Sequence, residues 1–154
     1  YWAVTVGVPT PYQGKIDLAL AKEGGPHGAR VAENKEEGKR AVTVYSVQEN
    51  VGRQAAFVAM WPLTGRTHQL RVHMQQLGNP FMGDPRYFNI ENFQGAPGLG
   101  EGLNLHARRI RLPLEGGKTL DVSAPLPPHM VQSFEALGFD AERYDVKDQD
   151  PEDR

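Results

Sequence analysis

Thr64-Gly65-Arg66-Thr67-His68-Gln69-Leu70-Arg71-Val72-His73-Met74 joins an apolar, strand-like run, Ala55 to Trp61, to a helix-like run that ends near Leu77. Pro62 stops the strand and Gly65 supplies a turn. Thr67 is placed to cap the helix, its hydroxyl accepting a backbone N–H of the first turn. Leu70, Met74 and Leu77 follow i, i+4, i+7 spacing and make one apolar stripe. Arg66, Thr67, His68, Gln69 and Arg71 gather at the electropositive helix N-terminus, which suits a carboxylate or a phosphate. An amphipathic helix whose polar residues merely face water has the same spacing. A zinc pair fits poorly, because the five-residue step from His68 to His73 turns about 140° around a helix. No metal site is expected.

Working outward, Tyr1 to Val8 is rich in β-branched and aromatic residues and reads as a strand. Gly14 to Leu20 alternates and reads as a second. Glu23 to Lys39 is polar and glycine-rich and reads as a mobile loop. Ala41 to Val47 and Arg53 to Trp61 are strands, and Gln48 to Gly52 between them has the length of a hairpin connection. Phe93 to Gly102 is irregular. Leu103 to Leu112 reads as one strand carrying His106, Arg108, Arg109 and Arg111, with Thr119 to Ser123 its partner across Glu115-Gly116-Gly117. Pro127 and Pro128 open a last helix with a Met130, Phe134, Leu137 stripe, and Gly138 ends it. The fold class is α+β, with a largely antiparallel mixed sheet and a few flanking helices.

A chain of 154 residues is enough for one domain with a core, and 39% hydrophobic with 23% charged residues describes a globular protein. No apolar run approaches the roughly 20 residues of a membrane span, so no membrane partner is expected. The absence of cysteine removes thiolate chemistry and fits a reducing compartment, the cytoplasm. A net charge of −2 argues at first against nucleic acid. The segment from Asp140 to Arg154 is strongly acidic, however, and without it the body is slightly basic.

The run from Pro62 to Met74, then Leu77-Gly78-Asn79-Pro80-Phe81-Met82-Gly83-Asp84, resembles the RluA-type pseudouridine synthases. The match is ordered and gap-free, and departs at Asn79, where the family mostly has histidine. Weaker matches extend it from Tyr1 to about Leu137: Gly14, Ile16, Arg30, Val31 and Gly38-Lys39 before the motif, Tyr87, Leu105-His106-Ala107 and Ala124 to Pro127 after it. The resemblance implies residues 1–138 as the later portion of a pseudouridine synthase catalytic domain and 139–154 as an acidic tail. It implies isomerisation of uridine in ribosomal or transfer RNA, without cofactor; a monomer is expected. An aspartate attacks the flipped-out nucleotide at C1′ or C6, the N1–C1′ bond breaks, the uracil turns, and C5 bonds to C1′.

By the same resemblance, Arg71 pairs with the catalytic aspartate, and Tyr1 contacts the uracil and helps remove its C5 proton. Arg66, Thr67, His68 and Gln69 shape the pocket and position RNA. Alternation along the strand sets Arg108 opposite Arg109 and Arg111, either as a further RNA contact or as an exposed basic strand edge. The aspartate belongs to an H-R-L-D motif that this sequence does not contain. Asp17, Asp84 and Asp121 sit in other contexts and are not taken as the nucleophile. The chain is therefore expected to be a fragment, inactive alone, whose partner is the missing N-terminal segment of the same protein. The alternative is a catalytically inactive RNA-binding or regulatory module. Either way, Tyr1 and Arg71 are expected to meet in one cleft.

Overall fold

The computed structural model describes residues 1–24, 30–88 and 98–144. The elements are β1 (Trp2–Val6), β2 (Gln13–Asp17), β3 (Leu20–Glu23), β4 (Arg30–Glu33), β5 (Val42–Val51), β6 (Ala55–Pro62), α1 (Gln69–Gln76), β7 (Leu105–His106), β8 (Arg109–Pro113), β9 (Thr119–Ser123) and α2 (Pro128–Leu137). Five strands form a sheet in the order β2-β5-β6-β1-β7. All of its neighbouring pairs are antiparallel.

Alternation along β1 and β6 sends side chains to both faces of this sheet. Trp2, Val4, Phe57 and Ala59 meet Met130 and Phe134 of α2 on one face. Ala3, Val58 and Met60 meet Leu70 and Met74 of α1 on the other. Because both faces are covered, the central strands read as unbroken apolar runs. Phe57 anchors the α2 side, with ring centroids 4.7 Å from Trp2, 4.8 Å from Phe134 and 5.4 Å from Tyr144.

The expected mobile loop from Glu23 to Lys39 contains a strand, β4, and begins on the last residue of another, β3. Leu20 to Glu23 pairs antiparallel with Arg30 to Glu33 as a separate ribbon. Leu20 and Val31 are buried with Ala41, Val72 and Tyr87 in a small third cluster, which anchors a stretch otherwise too polar to pack. The Tyr87 hydroxyl accepts the Val31 N–H at 3.0 Å. Residues 25–29 of that expected loop lie outside the described residues, as do residues 93–97 of the irregular stretch at Phe93 to Gly102 and the acidic residues 145–154.

Leu103 to Leu112 is two strands and not one. β7 closes the edge of the main sheet against β1, and β8 leaves it to pair with β9. The break falls at Ala107 and Arg108, where the Arg108 guanidinium sits 4.6 Å from the Trp2 ring centroid and bonds the Ala124 carbonyl. The β8–β9 ribbon has two unlike faces. Ile110, Leu112, Leu120 and Val122 share one face and are all exposed. Arg109 and Asp121 share the other as a forked ion pair at 2.8 and 2.6 Å.

The turn at Glu115–Gly117 and the ends of α2 at Pro128 and Gly138 agree with the sequence reading. Packing does not stop at residue 138. Phe139 is buried in the Trp2–Phe57–Phe134 cluster, and the Tyr144 hydroxyl donates to the Gln48 carbonyl at 3.1 Å. Residues 139–144 thus belong to the packed body. Phe139→Ala should lower stability by about 3 kcal/mol, as for other buried phenylalanines, read as a shift of the urea midpoint at constant slope.

Candidate active site

The loop between β6 and α1 is held by a buried amide. Gln69 is 3% exposed. Its Oε1 accepts the Thr64 hydroxyl at 2.6 Å and the Arg66 N–H at 3.1 Å. Its Nε2 donates to the Val42 carbonyl at 2.8 Å and to the Thr43 hydroxyl at 3.0 Å. Two lone-pair sites and two protons are thereby filled, the full capacity of a primary amide. Gln69, expected to shape the pocket and position RNA, has its amide turned inward, where it positions the loop.

The chain of bonds continues inward. Thr43 accepts from Gln69 and so gives its own proton to His73 Nδ1, 2.8 Å away. His73 then carries its proton on Nε2 and donates it to the Leu18 carbonyl at 2.9 Å. Burial holds the His73 pKa below the usual imidazole value, in keeping with a neutral ring.

The helix start also differs from expectation. Thr67 is exposed and caps nothing; the cap position belongs to His68, and no side chain bonds the first turn. His68 adopts φ 53°, the one non-glycine residue in the left-handed region among the described residues. That conformation costs on the order of 1 kcal/mol or more. It is held by the Gln69 anchor on one side and by Tyr87 on the other, whose hydroxyl lies 2.8 Å from His68 Nδ1. The same hydroxyl accepts the Val31 N–H, so Tyr87 ties the His68 ring to the backbone of β4. Burial lowers the His68 pKa, with the charges of Arg71, Arg86 and Lys22 acting the same way against Asp84.

Arg71 extends from α1 to Asp84. Nε to Oδ2 is 2.9 Å and Nη2 to Oδ1 is 2.6 Å, a two-bond fork. The Arg71 side chain is 15% exposed and that of Asp84 1%. Asp84 Oδ1 also accepts the N–H groups of Arg86 and Tyr87 at 2.9 and 3.1 Å. Burial alone would raise the Asp84 pKa; the bonds from Arg71 and these two N–H groups outweigh it and hold the carboxyl below its usual range. Only glycine fits at position 83, where φ is 75° and a Cβ would collide with the Gly102 carbonyl, so the turn that presents Asp84 depends on it. The Arg71 guanidinium also lies 5.1 Å from the Tyr87 ring centroid.

Tyr1 and Arg71 meet. They line one cleft of about 330 Å³ together with Pro62, Arg66, His68 and Leu105. Tyr1 and Trp2 point to opposite faces of the sheet, which puts Tyr1 on the α1 side. Arg108, stacked on Trp2, belongs to the α2 side and lines a different recess with Phe134 and Glu135. Of the residues expected to contact RNA, Arg108 thus lies away from the Tyr1–Arg71 cleft.

The family model for RNA pseudouridylate synthase matches residues 1–76. An uncharacterized RNA pseudouridine synthase of Zymomonas mobilis is 40% identical over 144 residues, covering 90% of this chain and 59% of that protein. The chain belongs to the RluA-type pseudouridine synthase family. The dual-specificity RNA pseudouridine synthase RluA of Escherichia coli K12 is 38% identical over 112 residues, covering 73% of this chain and 49% of its own. The solved structure of human RNA pseudouridylate synthase domain containing 4 superposes with a TM-score of 0.70 at 29% identity, over 89% of this chain and 60% of that one. The chain thus spans about half to three-fifths of the length of these relatives.

Within this RluA-type domain, residue-by-residue reading missed the part of the site that lies after α1. Nothing in the spacing of Asp84 identifies it as the anchor of Arg71. Tyr87 touches His68, Arg71 and Val31, and its sequence position alone implies none of these contacts. The signal available was the closeness of Gly83-Asp84 and Tyr87 to the central motif. Asn79 fills its place with a bond from Nδ2 to the Val6 carbonyl at 3.2 Å. Among the described residues, no helix is long and apolar enough to cross a membrane.

Two outcomes test the buried network. Gln69→Leu keeps the volume but strands the Thr64 hydroxyl proton and the Arg66 N–H, and should cost about 3 kcal/mol in chemical denaturation. His73 favours its neutral form in the fold, so the unfolded chain binds more protons as pH falls below about 6.5. Its contribution to stability should be complete above that pH and decline on acidification. Imidazole ¹⁵N shifts should show His73 still neutral, protonated at Nε2, at pH values where a free histidine is largely charged.

Proposed function

We propose that the Tyr1–Arg71 cleft receives a flipped uridine of ribosomal or transfer RNA and forms one side of a pseudouridine synthase active site. The observation that supports this reading is the meeting of Tyr1 and Arg71 in one recess, although they lie at opposite ends of the matched region. Leu70, Leu105 and Pro62 offer the uracil an apolar surround. Tyr1 stands at its rim as the group that contacts the ring and helps take the C5 proton. Arg66 and Thr67 are exposed beside the cleft and suited to RNA phosphates.

Arg71 is fixed before any substrate arrives. Asp84 occupies its Nε–Nη2 edge, and the Nη1–Nη2 edge remains for an incoming carboxylate. Asp84 is not that carboxylate in this reading, because it is buried and already accepts four bonds. The nucleophile comes instead from a further part of the polypeptide, in the H-R-L-D motif that the present sequence lacks. The exposed apolar face of the β8–β9 ribbon is surface of the kind another segment covers. Its Arg109, Ile110 and Arg111 share a recess with Tyr1, so a segment docked there reaches the cleft. The expected setting is a monomer in the cytoplasm acting without cofactor. A second reading, an RNA-binding or regulatory module without catalysis, is favoured by the same missing motif.

Release of tritium from RNA containing 5-tritiated uridine separates these readings. The present chain should release none, and the complete natural polypeptide should release it with turnover. No release by the complete polypeptide, with RNA binding intact, supports the module. Turnover by residues 1–154 alone overturns the incomplete-site reading. In an active enzyme, Arg71→Lys keeps the charge but loses the forked donors and should lower kcat by about 100-fold or more. Asp84→Asn should also lower kcat by loosening Arg71, with a smaller effect on KM.

A further inference from the structure

The loop from Thr64 to Thr67 has a recess on each side. Gly65 and Arg66 line the Tyr1–Arg71 cleft. The same two residues line a second groove of about 460 Å³, between the loop and the β3–β4 ribbon. That groove carries Lys22, Lys39 and Arg66 against a single carboxylate, Glu37. Lys22 and Lys39 are exposed, and neither is in an ion pair among the described residues. Arg66 donates Nε to the Arg40 carbonyl at 2.9 Å, which fixes its side chain while its two terminal nitrogens stay available.

Gly65 forms the crest between the two recesses. Its φ is not positive, and a Cβ built there would meet nothing within 4 Å. Neither the backbone nor the packing of this chain therefore calls for glycine. A bare backbone between two electropositive recesses is what the close approach of another polymer's backbone requires.

We propose that the RNA strand crosses the crest at Gly65, with the nucleotides flanking the target lying in the second groove and their phosphates on Lys22 and Lys39. This rests on the reading of the cleft as a uridine site and extends it to the neighbouring strand. Phosphate contacts of this kind give register and affinity without reading sequence. The β3–β4 ribbon is then an RNA-binding element, packed through Leu20 and Val31 on the domain and presenting its cations outward.

The test uses the complete natural polypeptide and two probes: a labelled oligouridylate long enough to span both recesses, and uridine monophosphate, which fills only the cleft. Lys22→Ala/Lys39→Ala should weaken oligouridylate binding by about tenfold at moderate salt and leave the mononucleotide unaffected. The slope of log K against log salt should shrink by about 1.4, for two single-strand phosphates. Gly65→Val should keep the wild-type Tm and weaken the oligonucleotide. If the wild type binds oligouridylate and both variants match it in affinity and salt slope, the crossing is wrong and the cleft reading stands. Equal weakening of both probes by the lysine pair overturns the proposal too, since it places those lysines at the cleft. If the wild type binds neither probe, both readings fall together.

Discussion

Every hydrogen-bonding position on the Gln69 amide is filled by protein, and the site is built around that saturation. One buried side chain ties the turn after β6 to the backbone of β5 and to Thr43, and through Thr43 to His73 and Leu18. Each of these groups is costly to leave unpaired in a low-dielectric interior. The network therefore has one satisfied arrangement and poor alternatives. It sets where α1 begins without a side-chain cap on its first turn. It also allows His68 to remain in a conformation that an untethered histidine would leave.

The charged part of the site depends on that rigidity. Arg71 is one turn-spacing from His68 on α1 and is caught by Asp84, whose carboxylate is itself held by two backbone N–H groups. The pair neutralises most of its own charge and consumes one edge of the guanidinium. What remains outward is a directional donor edge beside a neutral His68, with the Tyr87 ring against both. Arg30 lies 5.2 Å from the same ring centroid and bonds the Arg86 carbonyl, so the β3–β4 ribbon is tied into the cluster. A neutral imidazole and a half-engaged arginine can meet a polyanion without the desolvation cost of several bare cations.

The sheet decides which residues take part. Alternation along β1 separates Tyr1 from Trp2 by the full thickness of a pleat, and with them the two sides of the domain. Arg108 follows Trp2 to the α2 side, while Arg66 and Arg71 share the α1 side with Tyr1. Two arginines that both read as RNA contacts in the chain are thus sorted by the direction of one strand's side chains.

Much of the fold was legible in the residues. The apolar runs at β1, β5 and β6, the Leu70–Met74 stripe, the glycine turn between β8 and β9, and the Pro128 start and Gly138 end of α2 all follow from local periodicity and turn chemistry. The central motif and Tyr1 also pointed to one cleft through their resemblance to a family. The ribbon at β3–β4 escaped notice because two apolar residues, Leu20 and Val31, anchor it against partners far along the chain. The break at Ala107 and Arg108 escaped because both strands carry the same residue types. Three further facts were decided by the tertiary structure alone: Gln69 faces inward, Arg71 is anchored by Asp84, and Arg108 lies across the sheet. Sequence spacing reports which residues can share an element's face. Which of those faces becomes interior, and which distant group completes a buried polar atom, is settled only when the sheet and helices close on one another.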